Sequence, residues 1–115
     1  MAKNALATSG MPDAVRKELE RIGESIRIAR KRRDLTQGDL AAMVFVTPRT
    51  VVRLEQGDPG VSLAIFLTAL YCLELDYAVS SLFAPDKDHL GINLDVRKHR
   101  NRKLVRKPQT PDLDF

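Results

Sequence analysis

The sequence lacks tryptophan, has a single cysteine, and contains no long apolar run: the longest is the seven residues 40–46. One cysteine, Cys72, excludes an intrachain disulfide and gives no sign of an oxidising compartment. The apolar run is far shorter than the roughly 20 residues of a membrane-spanning helix. Residues 1–10 also lack the apolar core of a signal peptide. These absences predict a soluble, cytoplasmic protein.

Residue patterns that carry catalysis or bind metals are absent as well. His89 and His99 have no cluster of cysteines or carboxylates around them at metal-ligand spacing. The sequence contains no glycine-rich phosphate loop, no nucleophile elbow and no CxxC pair. We therefore expect neither an enzyme nor a protein with a metal or a cofactor, and we expect Cys72 to lie in the core.

Positive charge is present in excess. The 115 residues include 19 Lys and Arg against 15 Asp and Glu, which gives a net charge of +4. The excess is concentrated in the last 30 residues, and the run from Arg97 to Lys107 has seven bases and no acid. A basic block of this kind makes nucleic acid the first partner to consider.

Capping residues and apolar spacing predict five helices before residue 86. The first runs from Pro12 to about Arg33, because apolar residues recur three and four apart there, although Gly23 lowers the helix propensity. Thr36, Thr47 and Ser62 are N-cap residues for the next three, and a short fifth helix covers about residues 76–82. The sequence thus predicts an all-α domain over residues 12–85, after a disordered N-terminus of residues 1–11.

The pattern changes beyond residue 86. Ile92, Leu94 and Val96 alternate with two polar residues, which predicts a short strand. A lone strand has no partner in a helical domain, so it must pair with another copy, lie on another protein or stay disordered. We expect it to pair with the same segment of a second copy in a two-fold dimer. The basic residues from Arg97 onward are predicted to form a flexible tail, so that residues 86–115 comprise a C-terminal strand and tail.

Two of the predicted helices suggest a function. Residues 35–41 read LTQGDLA and residues 46–57 read VTPRTVVRLEQG. Two short capped helices joined by a tight turn form a helix-turn-helix. Val51 and Leu54 face inward in the second helix, so its other side can enter the major groove of DNA, where an Arg can form two hydrogen bonds to a guanine. The outward residues are Thr47, Pro48, Arg49, Thr50 and Arg53.

These residues resemble the Xre/Cro-type helix-turn-helix family, which includes the lambdoid phage repressors, over roughly residues 22–83. The shared pattern is Leu-Thr-Gln-x-x-Leu-Ala, then a capping Thr, then Arg-x-Glu-x-Gly. The resemblance implies that Gln37 contacts DNA, that residues 47–53 form the recognition helix, and that Arg30 pairs with Glu55. The family usually has Gly where this chain has Phe45. Either Phe45 is strained at positive φ, or the turn differs and Phe45 gains compensating packing.

The resemblance implies a transcriptional repressor that binds a palindromic operator as a homodimer. A helix-turn-helix domain followed by a strand and a basic tail is also similar to the HipB-like antitoxins, which implies a HipA-like kinase toxin as partner. Two alternatives remain: a plain phage-type or Xre regulator without a toxin, and an interaction protein whose basic tail docks an acidic partner. Arg49, Arg53 and Gln37 can also be read as ordinary solvated surface residues.

Overall fold

The computed structural model describes residues 9–105. This part of the chain contains six complete α-helices: α1 (Asp13–Arg32), α2 (Gln37–Val44), α3 (Pro48–Glu55), α4 (Leu63–Cys72), α5 (Asp76–Leu82) and α6 (His89–Val105). A short 3₁₀ helix, Pro85–Lys87, precedes α6. None of the helices in residues 9–105 has the length and hydropathy needed to cross a membrane. The chain divides into two compact units, of which the first ends at Ala78 and the second begins at Val79.

The first unit contains the apolar core. Helix α2 packs against α3 and α4, and α1 packs against α3. The five helices predicted before residue 86 are all present. Four of them, α1 to α4, bury apolar residues in the core, whereas α5 has no buried residue. The buried apolar side chains are Ile26, Ala29, Leu40, Ala41, Val44, Val51, Leu54, Ala69, Leu70 and Leu73.

Gly23 marks a point where the backbones of α1 and α3 lie close together. A Cβ atom at this position would lie 2.5 Å from the carbonyl oxygen of Glu55, so any side chain would push the two helices apart. The sequence suggested only that Gly23 lowers the helix propensity of α1. The structure shows why glycine stands here despite its low helix propensity: the backbones of two helices lie too close for a side chain, which is a common reason for glycine inside a helix.

In the second unit, the segment predicted as a strand is helical. Residues 92–96 lie within α6, and Asp88 begins that helix: its Oδ1 accepts a hydrogen bond from the Gly91 N–H at 2.9 Å. Five alternating residues also fit a helix, because Leu90 and Leu94 then share one side while Ile92 and Val96 share another. The expected pairing of this segment as a strand is therefore wrong. The prediction of a flexible tail is wrong as far as residue 105, because α6 extends to Val105. The rest of the predicted tail, residues 106–115, lies outside the described residues, and so does most of the predicted N-terminus.

Candidate nucleic-acid interface

Side-chain caps define where the two helices of the helix-turn-helix begin. Thr36 Oγ1 accepts from the Asp39 N–H at 2.9 Å, and Asp39 Oδ2 accepts from the Thr36 N–H at 2.8 Å, which together form a capping box at the start of α2. The Thr36 N–H, with a smaller contribution from the Thr36 hydroxyl, holds the pKa of the Asp39 carboxyl below its usual value. Thr47 caps α3 in the same way, by accepting from the Thr50 N–H, and Pro48 occupies the first helical position.

Phe45 forms the turn between α2 and α3 in a left-handed conformation. Its φ is 63° and its ψ is 44°, and its N–H donates to the Ala41 carbonyl at the end of α2. The side chain is 93% exposed, so it gains no packing that would offset the cost of this backbone conformation. Of the two alternatives that the sequence left open, the structure supports a turn of the usual geometry with a strained Phe45.

Helix α3 has one buried side and one exposed side. Val51 and Leu54 are buried against the core, which fixes the orientation of the helix. Thr47, Pro48 and Arg49 at its N-terminal end are exposed, and Thr50 and Arg53 are half-buried. The arrangement presents the N-terminal half of α3 to the surrounding solvent, with Arg49 as its outermost charge.

A buried carboxylate joins α1, α2 and α3. Arg30 Nε donates to Glu55 Oε2 at 2.6 Å and Arg30 Nη2 donates to Glu55 Oε1 at 3.1 Å, a bidentate pair whose residues are only 6% and 7% exposed. Gln37 Nε2 adds a third donor to Glu55 Oε1 at 3.0 Å, and Arg30 Nη1 binds the Leu35 carbonyl. The Glu55 carboxylate raises the pKa of Arg30 through these hydrogen bonds. This cluster holds the start of α2 against the end of α3.

Arg53 is occupied by a contact that the sequence analysis missed. Its Nε donates to Asp58 Oδ2 at 2.9 Å, and Asp58 Oδ1 accepts from the Gly60 N–H at 2.7 Å. The Arg53 guanidinium holds the pKa of the Asp58 carboxyl below its usual value, with a smaller contribution from the Gly60 N–H. The signal available in the sequence was an Asp five residues after an Arg, in an Asp-Pro-Gly loop that directs the carboxylate back toward the helix.

The two arginines of α3 thus differ in what they can offer a ligand. Arg49 is exposed, and its side chain makes no hydrogen bond or ion pair with any residue between 9 and 105. Arg53 shares its Nε edge with Asp58 and keeps only the Nη atoms for a further partner. A bidentate contact to a guanine edge requires two N–H groups on one side of the guanidinium. Arg49 can offer either of its edges, whereas Arg53 retains only the edge formed by its two Nη atoms.

The remaining predicted sites give no other chemistry. Within residues 9–105 no group of three or more His, Cys, Asp or Glu side chains is arranged to hold a metal ion. Cys72, predicted as a core residue, is only partly buried, and its Sγ lies 3.6 Å from the Met43 carbonyl oxygen.

A comparison with known protein families identifies the same part of the chain as a helix-turn-helix. Residues 26–70 match a family model described as helix-turn-helix, and this stretch contains α2, the turn at Phe45 and α3. Members of this family bind DNA and are not typically enzymes. The matched stretch is 45 of the 115 residues. No curated protein and no solved structure matches the chain.

Proposed function

We propose that the chain is a sequence-specific DNA-binding transcriptional repressor. The observation that carries this proposal is the exposed N-terminal half of α3. The opposite side of the helix is anchored to the core by Val51 and Leu54 and by the hydrogen bonds that Glu55 accepts from Arg30 and Gln37. A recognition helix must present base-reading side chains on a fixed support, because small displacements weaken directed hydrogen bonds. In this role Arg49 reads a base edge, and Thr47, Pro48, Thr50 and Arg53 line the contact.

Gln37 is assigned a contact with the DNA backbone. Its side-chain amide has two N–H donors, so one can hold Glu55 while the other binds a phosphate oxygen at the start of α2. A phosphate contact positions the protein without reading sequence. The bond to Glu55 adds a structural reason for Gln at this position, because it couples the DNA-facing end of α2 to the buried carboxylate.

We propose further that the repressor acts as a homodimer on a palindromic operator. A single eight-residue recognition helix covers too few base pairs for tight specific binding, whereas two helices in a two-fold dimer reach half-sites about one helical turn apart. Analytical ultracentrifugation checks the dimer directly. A protein that sediments as a monomer at the concentrations at which it protects DNA would contradict this part of the proposal.

A HipB-like antitoxin, which pairs with a HipA-like kinase toxin, would be a more specific assignment within the class of transcriptional repressors. Its support in the sequence was a strand after the helix-turn-helix, and residues 89–105 form a helix instead. We therefore propose the regulator without assigning a toxin partner. Co-purification of a kinase-like protein encoded beside this chain would establish the antitoxin form.

Selection of DNA from a random pool tests the proposed function. The purified full chain is used to select binding duplexes, and the selected sequence is then footprinted with the wild type, with Arg49→Ala and with the control Lys17→Ala. Lys17 lies on α1 and its loss changes the net charge by the same amount. We expect Arg49→Ala to lose about 1–3 kcal/mol of binding free energy and to relax preference at one base position, while Lys17→Ala binds as the wild type does.

Two results would contradict the proposal. If the selection enriched no sequence, the chain would not be a sequence-specific regulator, and the alternative of an interaction protein would gain support. If a sequence were enriched but Arg49→Ala bound it at wild-type strength, the assignment of α3 as the recognition helix would be wrong.

A further inference from the structure

Helix α6 carries a dense cluster of positive charge. Within the seven residues 97–103 there are five bases and no acid, and every one of these side chains is exposed. The bases are Arg97, Lys98, Arg100, Arg102 and Lys103. The proposed recognition of DNA by α3 makes no use of this segment, and it belongs to the second unit, which begins after Ala78.

These bases surround α6 instead of forming one charged face. At about 100° per residue, the five side chains are spread around the whole circumference, and no gap between neighbours exceeds roughly 100°. The apolar residues nearby do not form a single face either, since Leu90 and Leu94 lie on nearly the opposite side from Ile92 and Val96. A helix that inserts into a lipid surface needs one continuous apolar face and one polar face, and α6 has neither.

Like charges also repel one another within α6. Arg97 and Arg100 are three residues apart, as are Arg100 and Lys103, and Lys98 and Arg102 are four apart. Each such pair destabilises a helix slightly. The Asp88 cap and the favourable position of Arg102 and Lys103 near the helix C-terminus offset part of this cost. A polyanion around the helix would remove the repulsion and stabilise α6 further.

We propose that α6 is a second DNA-binding surface, which holds the phosphate backbone through the basic segment 97–103 independently of sequence. A ligand that meets cations on all sides of a helix must itself surround the helix. The major groove of duplex DNA does so, because it admits an α-helix and is bordered by phosphates on both walls. The narrow major groove of A-form RNA does not admit side chains in this way. The inference takes from the proposed function only that DNA is the ligand.

The salt dependence of DNA binding tests this inference. The probe is a 30-base-pair duplex of random sequence, so that binding is measured without any operator. The α6 variant of the full chain combines Arg97→Gln, Lys98→Gln, Arg100→Gln and Lys103→Gln, which preserves helix-forming residues. The α1 control combines Arg16→Gln, Lys17→Gln, Arg21→Gln and Arg27→Gln and therefore has the same net charge. Circular dichroism melting curves of both variants establish that each remains folded.

We expect the α6 variant to show a shallower dependence of log affinity on log salt concentration. Each phosphate contact contributes about 0.9 to that slope, so loss of four contacts lowers it by up to about 3.6. The α1 control is expected to keep the wild-type slope within about 1, the contribution of a single contact. An α6 variant whose slope equals that of the wild type would overturn the inference, as would an equal loss in both variants.

Other arms of the experiment separate this inference from its alternatives. Tighter binding of a 30-base-pair RNA duplex that depends on the same four residues would overturn the assignment of DNA. Binding to phosphatidylserine vesicles that is lost in the α6 variant, while its DNA slope stays unchanged, would replace DNA with a membrane surface. If selection from a random pool enriches no sequence but the α6 variant still loses slope, the proposed repressor fails and the inference about α6 stands.

Discussion

The two units of the chain are both helical, but their helices are stabilised in different ways. In the first unit, α1 to α4 converge on ten buried apolar residues, and each helix presents its apolar side to the others. In residues 79–103 no side chain is buried, and α6 is defined by its Asp88 cap, its backbone hydrogen bonds and the good helix propensity of its Leu, Lys and Arg residues. Periodic patterns predicted the helices that share the core and failed for α6, which has none.

Charge is distributed differently in the two units as well. In the first unit two charged residues of α3 are paired within the fold, Glu55 with Arg30 and Arg53 with Asp58, while Arg49 makes no ion pair within residues 9–105. In α6 the bases have no acid near them in sequence after Asp95. The first unit therefore uses ion pairs to position α3, which we propose as the recognition helix, whereas the bases of the second unit are proposed to contact DNA. Four predictions, in descending order of expected effect, test this comparison.

Glu55→Ala should cause the largest loss of stability, because it leaves the Arg30 guanidinium buried without its carboxylate. Removal of one partner from a buried ion pair costs about 3–5 kcal/mol. Glu24→Ala is the matched control, since it breaks an exposed pair with Arg27 on α1 that is worth less than about 1 kcal/mol. The free energies of unfolding in urea of both variants, of Arg30→Ala and of the double variant Arg30→Ala/Glu55→Ala check this. If the losses in the double variant were simply additive, the two side chains would not interact.

Ile26→Ala and Ile92→Ala compare one residue type in the two units. Ile26 is 2% exposed in the core, so its truncation should cost about 2–5 kcal/mol. Ile92 is 40% exposed on α6, and we expect a change within about 0.5 kcal/mol and an unchanged helical circular dichroism signal. Urea unfolding curves give both values. A large loss for Ile92→Ala would mean that α6 is held by packing after all, and the contrast between the units would disappear.

Phe45→Gly should stabilise the first unit by about 0.5–1 kcal/mol. A left-handed conformation costs an L-residue roughly 1–2 kcal/mol, and glycine removes this cost. Glycine also loses more conformational entropy on folding, which offsets roughly 0.5–1 kcal/mol of the stabilisation. Phe45→Ala keeps the strain and removes only an exposed ring, so it should unfold at nearly the wild-type temperature. Thermal unfolding monitored by circular dichroism measures both. A clear loss of stability in Phe45→Ala would show that the ring packs against the protein.

Asp39→Asn should alter stability mainly in acid. Because the folded protein holds the Asp39 pKa below its usual value of 3.8, the ionised carboxylate stabilises the fold above about pH 4, and this contribution is lost as the pH falls through the folded pKa. Removal of the charge should thus lower the urea midpoint near neutral pH and reduce its decline between pH 4 and pH 2. Asp13→Asn is the control, since that carboxylate makes no hydrogen bond within residues 9–105. Parallel pH profiles for Asp39→Asn and the wild type would contradict the prediction.

The candidate site was partly evident in the sequence because its elements are local. Thr36 and Thr47 are separated by three residues from the N–H groups that they cap, so spacing alone predicts where α2 and α3 begin. The neutralisation of Arg53 was not predicted, because the direction of the Asp58 side chain depends on the fold of the loop that carries it. Nor could the bond between Gln37 and Glu55, which are 18 residues apart, follow from the pattern of either helix.

Local patterns in the sequence were sufficient to predict the five helices before residue 86, the inward positions of Val51 and Leu54, and the concentration of bases after residue 96, since caps, periodicity and charge act over a few neighbouring residues. The folded structure was needed to establish that Gly23 permits the contact between α1 and α3, and that Phe45 accepts strain while exposed. It also decided that residues 92–96 are helical, because five alternating residues fit a helix or a strand and no core is present to select the strand. These outcomes depend on distances between segments and on the packing of one against another, which no local pattern of residues contains.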